Sequence, residues 1–424
     1  MSLGLRLLAQ LPRRSSVPRE ILSNIEEWIL REFREMQPTI RRENQGDPPT
    51  LFCRLHPAAE NLEISFVNPK EVIASANTTT AGPGYHIFLT SFLKTLAHEF
   101  GLLWQEPKGD SREFGDETGF FFTEDEGHLR SEMLSWLQCL AGTFFDGSLE
   151  ANSKGIALCL PMNPQFESDQ PALTPLGPRD REWLERTSQD GREGMDFFAW
   201  WDSGFTAEFY LCRALTQMWT DVRWRKPVND FERRVLEDVA SCLESAYQLD
   251  PTLNFPMAEW REVLKMLDRD AVELRFGQSR AMGSPSIGYR RGHVTESLPG
   301  GWRIRIPGSF SDFESEDEGA MSAIDPPREI WFTAYRQEGG TFEAFQSQKA
   351  KEADHKSENV IERDRYYTQA SINEKTIDTG IRYFVMNSSN LTVGGRSVCT
   401  IVFPGLDQKD WALETWRSLR PPEN

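Results

Sequence analysis

The chain has 424 residues, of which 39% are hydrophobic and 26% charged, and its formal net charge at pH 7 is −18. This length predicts two or three domains, and the composition is typical of folded domains. The negative charge argues against direct binding of nucleic acid, because neutralising phosphates requires a basic face. It favours solubility, a basic protein partner or a cation.

Cysteine usage and hydropathy both favour a cytoplasmic protein. The six cysteines are scattered without a CxxC pair, so the sequence predicts neither a zinc site nor a disulfide framework. The apolar stretch MSLGLRLLAQ is short and its arginines follow it, so we do not expect it to be a signal peptide. No apolar run reaches the ~18 residues that a membrane span needs.

The first predicted elements are an amphipathic helix and a strand. Residues 19–36 place Ile21, Ile25, Ile29 and Phe33 on one face, which predicts a helix packed on a core. After a segment interrupted by prolines, apolar residues alternate with polar ones over 62–66, as in a half-buried strand. The run TTTAGPG then marks a turn.

Two longer helices follow, joined by an acidic, aromatic loop. Phe88, Phe92, Leu96 and Phe100 recur every four residues, and a similar stripe runs over 129–140. Thr123 and Glu126 have the spacing of a capping box, which predicts that the second helix begins there.

The loop concentrates the negative charge of the chain. From Glu99 to Glu132 there are ten acidic residues against three basic ones, a local net of −7. We expect Asp110, Glu113, Asp116 and Glu117 to be exposed and to form a surface that binds a basic partner. One alternative is a solvated acidic face without a partner. Another is a structural loop whose carboxylates are held by backbone donors or by arginines such as Arg112 and Arg130. Aromatic side chains often anchor such interfaces. The aromatic candidates for the same surface are Phe120, Phe121, Trp200 and Trp201. The alternative is that these side chains pack in the interior: we expect the loop to pack back on the two helices, and core packing is the more common role of a run such as 197–201.

Further helices are predicted after Thr206, from Asn229 or Asp230, and around Trp260. The segment from Phe276 to Gly292 lacks an apolar period and contains much Gly and Ser, which is typical of a linker. The sequence therefore predicts an α-rich N-terminal domain with a small sheet (1–276), a linker (277–292) and a C-terminal domain (293–424).

The C-terminal region has the pattern strands, helix, strands, helix, which predicts an antiparallel sheet with helices on one side. Its opening LPGGWRIRIPGSF, the strand from Ile330 to Arg336 and the ending A-x-x-x-W-R-S-L resemble the PsbP-like α/β sandwich family. That resemblance covers the last third of the chain. It implies a PsbP-like fold and a role in binding partners, since the better-known members bind partners, and it implies no particular site residue.

An alternative function is a metal-dependent hydrolase. Its site would be assembled from His86, His98, Glu99, Asp116 and Glu117 across the two central helices. A zincin motif would need a second histidine four residues after His98, where Leu102 stands. No calcium loop, nucleophile motif or phosphate-binding glycine motif is present, and no cofactor is predicted.

The sequence thus favours an α+β fold and a non-enzymatic, protein-binding function. The hypothesis is a cytoplasmic, bacterial-type factor, namely an immunity or inhibitor protein or an accessory subunit. It rests on the acidic, aromatic loop and on the lack of a catalytic motif in the sequence.

Overall fold

The computed structural model describes residues 3–11, 17–43, 49–106, 114–146, 156–157, 160, 164–269, 286–315, 320–336, 341–353, 359–363, 365–376 and 380–422. The strands are β1 Gly4–Gln10, β2 Thr39–Glu43, β3 Thr50–Arg54, β4 Leu62–Asn68, β5 Glu71–Asn77, β6 Leu103–Trp104, β7 Gly115–Asp116, β8 Ile156–Ala157, β9 Gln165–Phe166, β10 Ala172–Thr174, β11 Gly177–Arg179, β12 His293–Leu298, β13 Trp302–Pro307, β14 Glu314–Ser315, β15 Met321–Asp325, β16 Arg328–Arg336, β17 Asn359–Arg363, β18 Tyr366–Thr376, β19 Arg382–Thr392 and β20 Gly395–Phe403. The helices are α1 Pro18–Glu32, α2 Pro83–Phe100, α3 Phe120–Thr123, α4 Glu126–Asp146, α5 Arg181–Gln189, α6 Ala207–Thr220, α7 Asp230–Leu249, α8 Met257–Met266, α9 Phe342–Ala353 and α10 Lys409–Ser418. These elements confirm the predicted α+β class.

The chain divides into two compact units. The first comprises Met1–Met162, Ser168–Val222 and Arg233–Gly288, and the second comprises Asn163–Glu167, Arg223–Glu232 and Tyr289–Asn424. The second unit therefore includes two short segments from the region predicted as the N-terminal domain. The part of the predicted linker from 277 to 285 lies outside the described residues.

The first unit is built on an antiparallel sheet with the strand order β2-β3-β4-β5-β1-β6, and β7 also pairs with β1. Strand β1 alternates buried and exposed positions, with Leu5, Leu7 and Ala9 buried. These side chains share one apolar core with those of α1 and α2. Alternation along the strands and a 3.6-residue period along the helices together produce this two-layer packing.

Local signals in the sequence set several helix boundaries. Thr206 caps α6, since its hydroxyl accepts a hydrogen bond from the N–H of Phe209 at 3.2 Å. Asn229 caps α7, since its side-chain oxygen accepts a hydrogen bond from the N–H of Glu232 at 2.9 Å. The predicted capping box at Thr123 is wrong, because Thr123 belongs to α3. The carboxylate of Asp125 accepts the N–H of His128 instead and caps α4.

The second unit contains a seven-stranded antiparallel sheet with the order β14-β15-β16-β20-β19-β18-β17, and a smaller sheet with the order β13-β12-β9. The indole of Trp416 in α10 donates a hydrogen bond to Thr368 at 3.0 Å. The neighbouring Tyr367 packs with Phe345 of α9. Successive side chains of a strand point to opposite faces. The prediction that both helices lie on one side is therefore wrong, because α9 and α10 pack on opposite faces of the sheet.

Candidate functional site

A buried histidine connects three segments of the first unit. His86 lies in the first turns of α2, and its ring nitrogens face a hydroxyl on one side and a carboxylate on the other. Its Nδ1 lies 2.8 Å from Thr78 Oγ1, and its Nε2 lies 3.0 Å from Asp116 Oδ2. The side chains of His86 and Asp116 are both fully buried. We refer to His86, Asp116, Thr78 and Thr118 as the histidine cluster.

Asp116 is the hub of the histidine cluster. Its Oδ1 accepts hydrogen bonds from the N–H and the hydroxyl of Thr118, at 2.9 and 2.8 Å. Its Oδ2 accepts the N–H of Phe121 at 2.7 Å, in the first turn of α3. Burial alone would raise the pKa of Asp116, but the hydrogen bond and charge of His86, with the Phe121 and Thr118 donors, outweigh it and lower that pKa. The expectation that Asp116 is exposed is wrong, because its carboxylate satisfies these internal donors.

The order carboxylate, imidazole, hydroxyl is that of a catalytic relay, in which the imidazole takes the proton of the hydroxyl. Such a relay works only where a substrate can reach the hydroxyl. Thr78 and His86 are both 0% exposed, and the ring of Phe120 packs edge-on against that of His86. The geometry of the histidine cluster therefore supports a structural role, namely holding β7 and α3 against the start of α2.

The five-residue site of the hydrolase alternative does not form. The structure brings His86 and Asp116 together, but His98 and Glu99 are exposed near the other end of α2. Twelve residues of helix separate the two histidines by about 18 Å. Glu117 points away from Asp116 and accepts the N–H of Gly4 at 2.8 Å. In the described parts of the chain, no group of three or more His, Cys, Asp or Glu side chains could hold a metal ion.

Most of the aromatic candidates are core residues. Phe120 and Phe121 are each 5% exposed and Trp200 is 1% exposed. They are therefore wrong as contact residues, because large aromatic side chains gain most by packing in the interior. Trp200 lies so close to α2 that a Cβ added at Gly84 would meet its ring at 2.5 Å. Trp201 is partly buried, and the guanidinium of Arg130 lies 5.6 Å from its ring centre.

The acidic candidates have different positions. Asp110 and Glu113 lie outside the described residues, and Glu117 is exposed as predicted. The exposed charge of this region is concentrated farther along, in the segment from Phe122 to His128, which we call the acidic turn. Every residue of the acidic turn is exposed, and it carries three consecutive acids at 124–126.

The acidic turn has an unusual backbone. Glu124 adopts a φ of 57°, in the left-handed region that glycine prefers, and it ends α3. Its carboxylate, 71% exposed, forms an ion pair with Lys94 at 2.5 Å. Phe122 is 39% exposed beside it. The turn thus presents an aromatic ring together with three carboxylates, of which Glu124 pairs with Lys94 and Glu126 lies 3.7 Å from Arg130.

Sequence reasoning missed Thr78 and Thr118. The run TTTAGPG predicted only a turn, although Thr78, Thr79 and Thr80 are all buried there. The signal was present as a hydroxyl run directly before a helix that carries a histidine in its first turns. Its partner Asp116 lies 30 residues farther along the chain, and no local pattern predicts that pairing.

Comparisons with known proteins leave the chain without a family. No protein-family model matches it, and no curated protein is similar to it. A crystal structure from Bacteroides thetaiotaomicron VPI-5482 matches 32% of this chain at 18% identity, with a TM-score of 0.26. The match covers 50% of that other chain. The PsbP-like resemblance of the C-terminal region stays a prediction. Among the described helices, none is both long and apolar enough to cross a membrane.

Proposed function

We propose that this protein is a non-enzymatic, protein-binding factor, such as an immunity protein, an inhibitor or an accessory subunit, and that the acidic turn contacts a basic partner. The observation that carries the proposal is the exposed ring of Phe122 beside the carboxylates at 124–126. An aromatic anchor bordered by like charges suits a partner with a basic rim and an apolar pocket.

The histidine cluster supports this role by preorganising the turn. The carboxylate of Asp116 holds the N–H of Phe121, and the N–H of Glu124 bonds to the carbonyl of Phe120 at 2.9 Å. Asp125 then caps α4. A surface that is already ordered loses less conformational entropy when it binds. The buried carboxylate and the exposed ones thus have separate tasks, the first in shaping the turn and the others in contacting the partner.

The test is capture of partners from an extract of the source organism, with the purified wild-type chain and three variants. One carries Glu124→Gln, Asp125→Asn and Glu126→Gln, and a second carries Phe122→Ala. The third is a charge-matched control with amides at the exposed acids Glu182, Glu185 and Glu193.

We expect one partner with a basic surface to be retained by the wild type and the control and lost by both acidic-turn variants. Its association rate should fall with added salt, because rim charges act mainly through the encounter rate. Equal capture by all three variants would refute the role of the acidic turn. Tight binding of Zn²⁺ or Mn²⁺ in a calorimetric titration, abolished by His98→Ala, would favour the hydrolase alternative instead.

A further inference from the structure

The large sheet of the second unit has one broad face on which, along the central strands, no described helix packs. On the opposite face, apolar side chains such as Phe332, Ile401 and Met386 are buried. On the open face of β16, Trp331 is 37% and Tyr335 is 58% exposed. The helix α9 packs on one end of this face, where Phe345 contacts Tyr367 and Leu391.

The register of the strands places uncharged side chains in rows across this open face. In one row Trp331 lies opposite Thr400, which lies opposite Asn387, which lies opposite Ser371. Strands about 4.8 Å apart give this row a length of about 14 Å.

The next row has the same character. It consists of Thr333, Val398, Ser389 and Gln369, paired in the same order across the same four strands. Neither row contains an ionisable side chain, although 26% of the chain is charged. Among the described residues, two ionisable groups contact the rows from their margins. Glu329 accepts the indole N–H of Trp331 at 3.3 Å, and Arg396 donates to Ser389 at 3.2 Å.

This composition differs from that of a protein-binding hot spot. Serine, threonine and valine are under-represented among hot-spot residues, whereas these rows consist largely of them. A hydroxyl group both donates and accepts a hydrogen bond, and an amide side chain offers both functions at separate atoms. A ligand rich in neutral hydroxyl groups matches such a row, and the apolar face of a sugar ring can stack on an exposed indole.

We propose that the open face of β16, β20, β19 and β18 binds a neutral polysaccharide. Trp331 supplies a stacking platform, and Thr400, Asn387 and Ser371 supply hydrogen bonds to sugar hydroxyls along the row. Thr400 donates to Asn387 Oδ1 at 2.9 Å, which orients the amide so that its NH2 group can donate to the ligand. This binding is separate from the acidic turn, which belongs to the first unit.

The experiment is affinity electrophoresis of the full-length chain in native gels. The gels contain starch, laminarin, xyloglucan, galactomannan or arabinoxylan, and polygalacturonate serves as the acidic comparison. We expect at least one neutral polymer to retard the wild type. Trp331→Ala should weaken that binding at least about tenfold, which corresponds to ~1.4 kcal/mol.

Three further variants test whether binding depends on the row that contains Trp331. Asn387→Asp keeps the shape of the side chain but adds a charge, so it should weaken binding of a neutral polymer. Trp331→Phe keeps an aromatic ring and should retain part of the binding, which also controls for folding. Leu406→Ala removes a side chain that is 62% exposed outside this face and should bind like the wild type.

Several outcomes would overturn the proposal. These are the absence of retardation in every neutral gel, equal retardation of wild type and Trp331→Ala, and retardation by polygalacturonate alone. Concentration-dependent self-association in sedimentation velocity, abolished by Trp331→Ala, would instead assign the face to a second copy of the chain.

Discussion

Replacing Asp116 by asparagine tests whether the histidine cluster holds the acidic turn in place. The amide keeps one acceptor oxygen for Thr118, but its NH2 group cannot accept the N–H of Phe121, which the carboxylate now holds at 2.7 Å. Leaving that buried N–H without an acceptor costs about 1–3 kcal/mol. Loss of the charge-assisted contact with His86 raises the expected destabilisation to about 2–4 kcal/mol.

The sign of the pH dependence provides a second readout. The pKa of Asp116 is lower in the folded chain than its ordinary value of 3.8. The carboxylate therefore contributes its stability fully above that ordinary value and loses it as the pH falls through the lower folded pKa. The difference in stability between wild type and Asp116→Asn should be constant near neutral pH and should shrink below pH 3.8.

Hydrogen exchange measured by mass spectrometry is the suitable assay, because a chain with two compact units need not unfold in one step. Protection of the peptide that contains Phe121 to Glu124 should fall markedly in Asp116→Asn. Glu117→Gln is the matched control, since that side chain is exposed and its amide oxygen can still accept the N–H of Gly4. If the free energy of opening at this peptide in Asp116→Asn stays within about 0.5 kcal/mol of the wild-type value, Asp116 does not support the turn.

Three further predictions concern other parts of the two units. Arg225→Met should destabilise the second unit by about 3–5 kcal/mol, because it leaves the carboxylate of Glu232, only 6% exposed, without its two-pronged guanidinium partner. Gly84→Ala should lower the free energy of unfolding by about 1–3 kcal/mol, and the melting temperature with it, since the added methyl group would meet Trp200 at 2.5 Å. Burial and the charges of two nearby arginines lower the pKa of His56 well below 6.5. The free energy of unfolding should therefore fall as the pH drops below 6.5, and this fall should be smaller in His56→Asn.

Thermal and denaturant unfolding check all three predictions, and each has its own contrary result. If Arg225→Met leaves the free energy of unfolding unchanged, the ion pair between Arg225 and Glu232 does not stabilise the second unit. Gly84→Ala should be compared with Gly119→Ala, because no atom lies within 4 Å of a Cβ added at Gly119. That position has a positive φ of 71°, so only backbone strain is expected there. Identical pH profiles for wild type and His56→Asn would contradict the burial of a neutral imidazole.

The helices could be predicted because their signals are local. Four-residue recurrence of large apolar side chains predicted α2, and the polar caps Thr206 and Asn229 predicted the starts of α6 and α7. Strand β1 was not predicted from the sequence, although Leu5, Leu7 and Ala9 alternate properly along it. Its pairing with β5 spans almost seventy residues, and nothing within a short window specifies that partner.

The candidate site was harder to predict because one run of acids has several structural roles. Asp116 and Glu117 are adjacent, yet the first satisfies buried donors and the second faces solvent. Strand β7 ends at Asp116, and Glu117 follows it in a turn where its carboxylate accepts the N–H of Gly4. Which of the two faced inward depended on His86, whose position is set by α2 and not by the loop. The net charge of a segment therefore predicts that some carboxylates are exposed, but not which ones.

The two roles of these carboxylates depend on each other. A glutamate with a positive φ, such as Glu124, is held in that conformation only where the surrounding structure determines it. Here the surroundings are the buried acceptor at Asp116, which fixes the first turn of α3, and the cap at Asp125, which fixes the start of α4. A short turn between two such supports cannot relax independently. In the proposed binding role, the exposed carboxylates of this turn would keep their spacing before a partner binds, which is the property that electrostatic recognition requires.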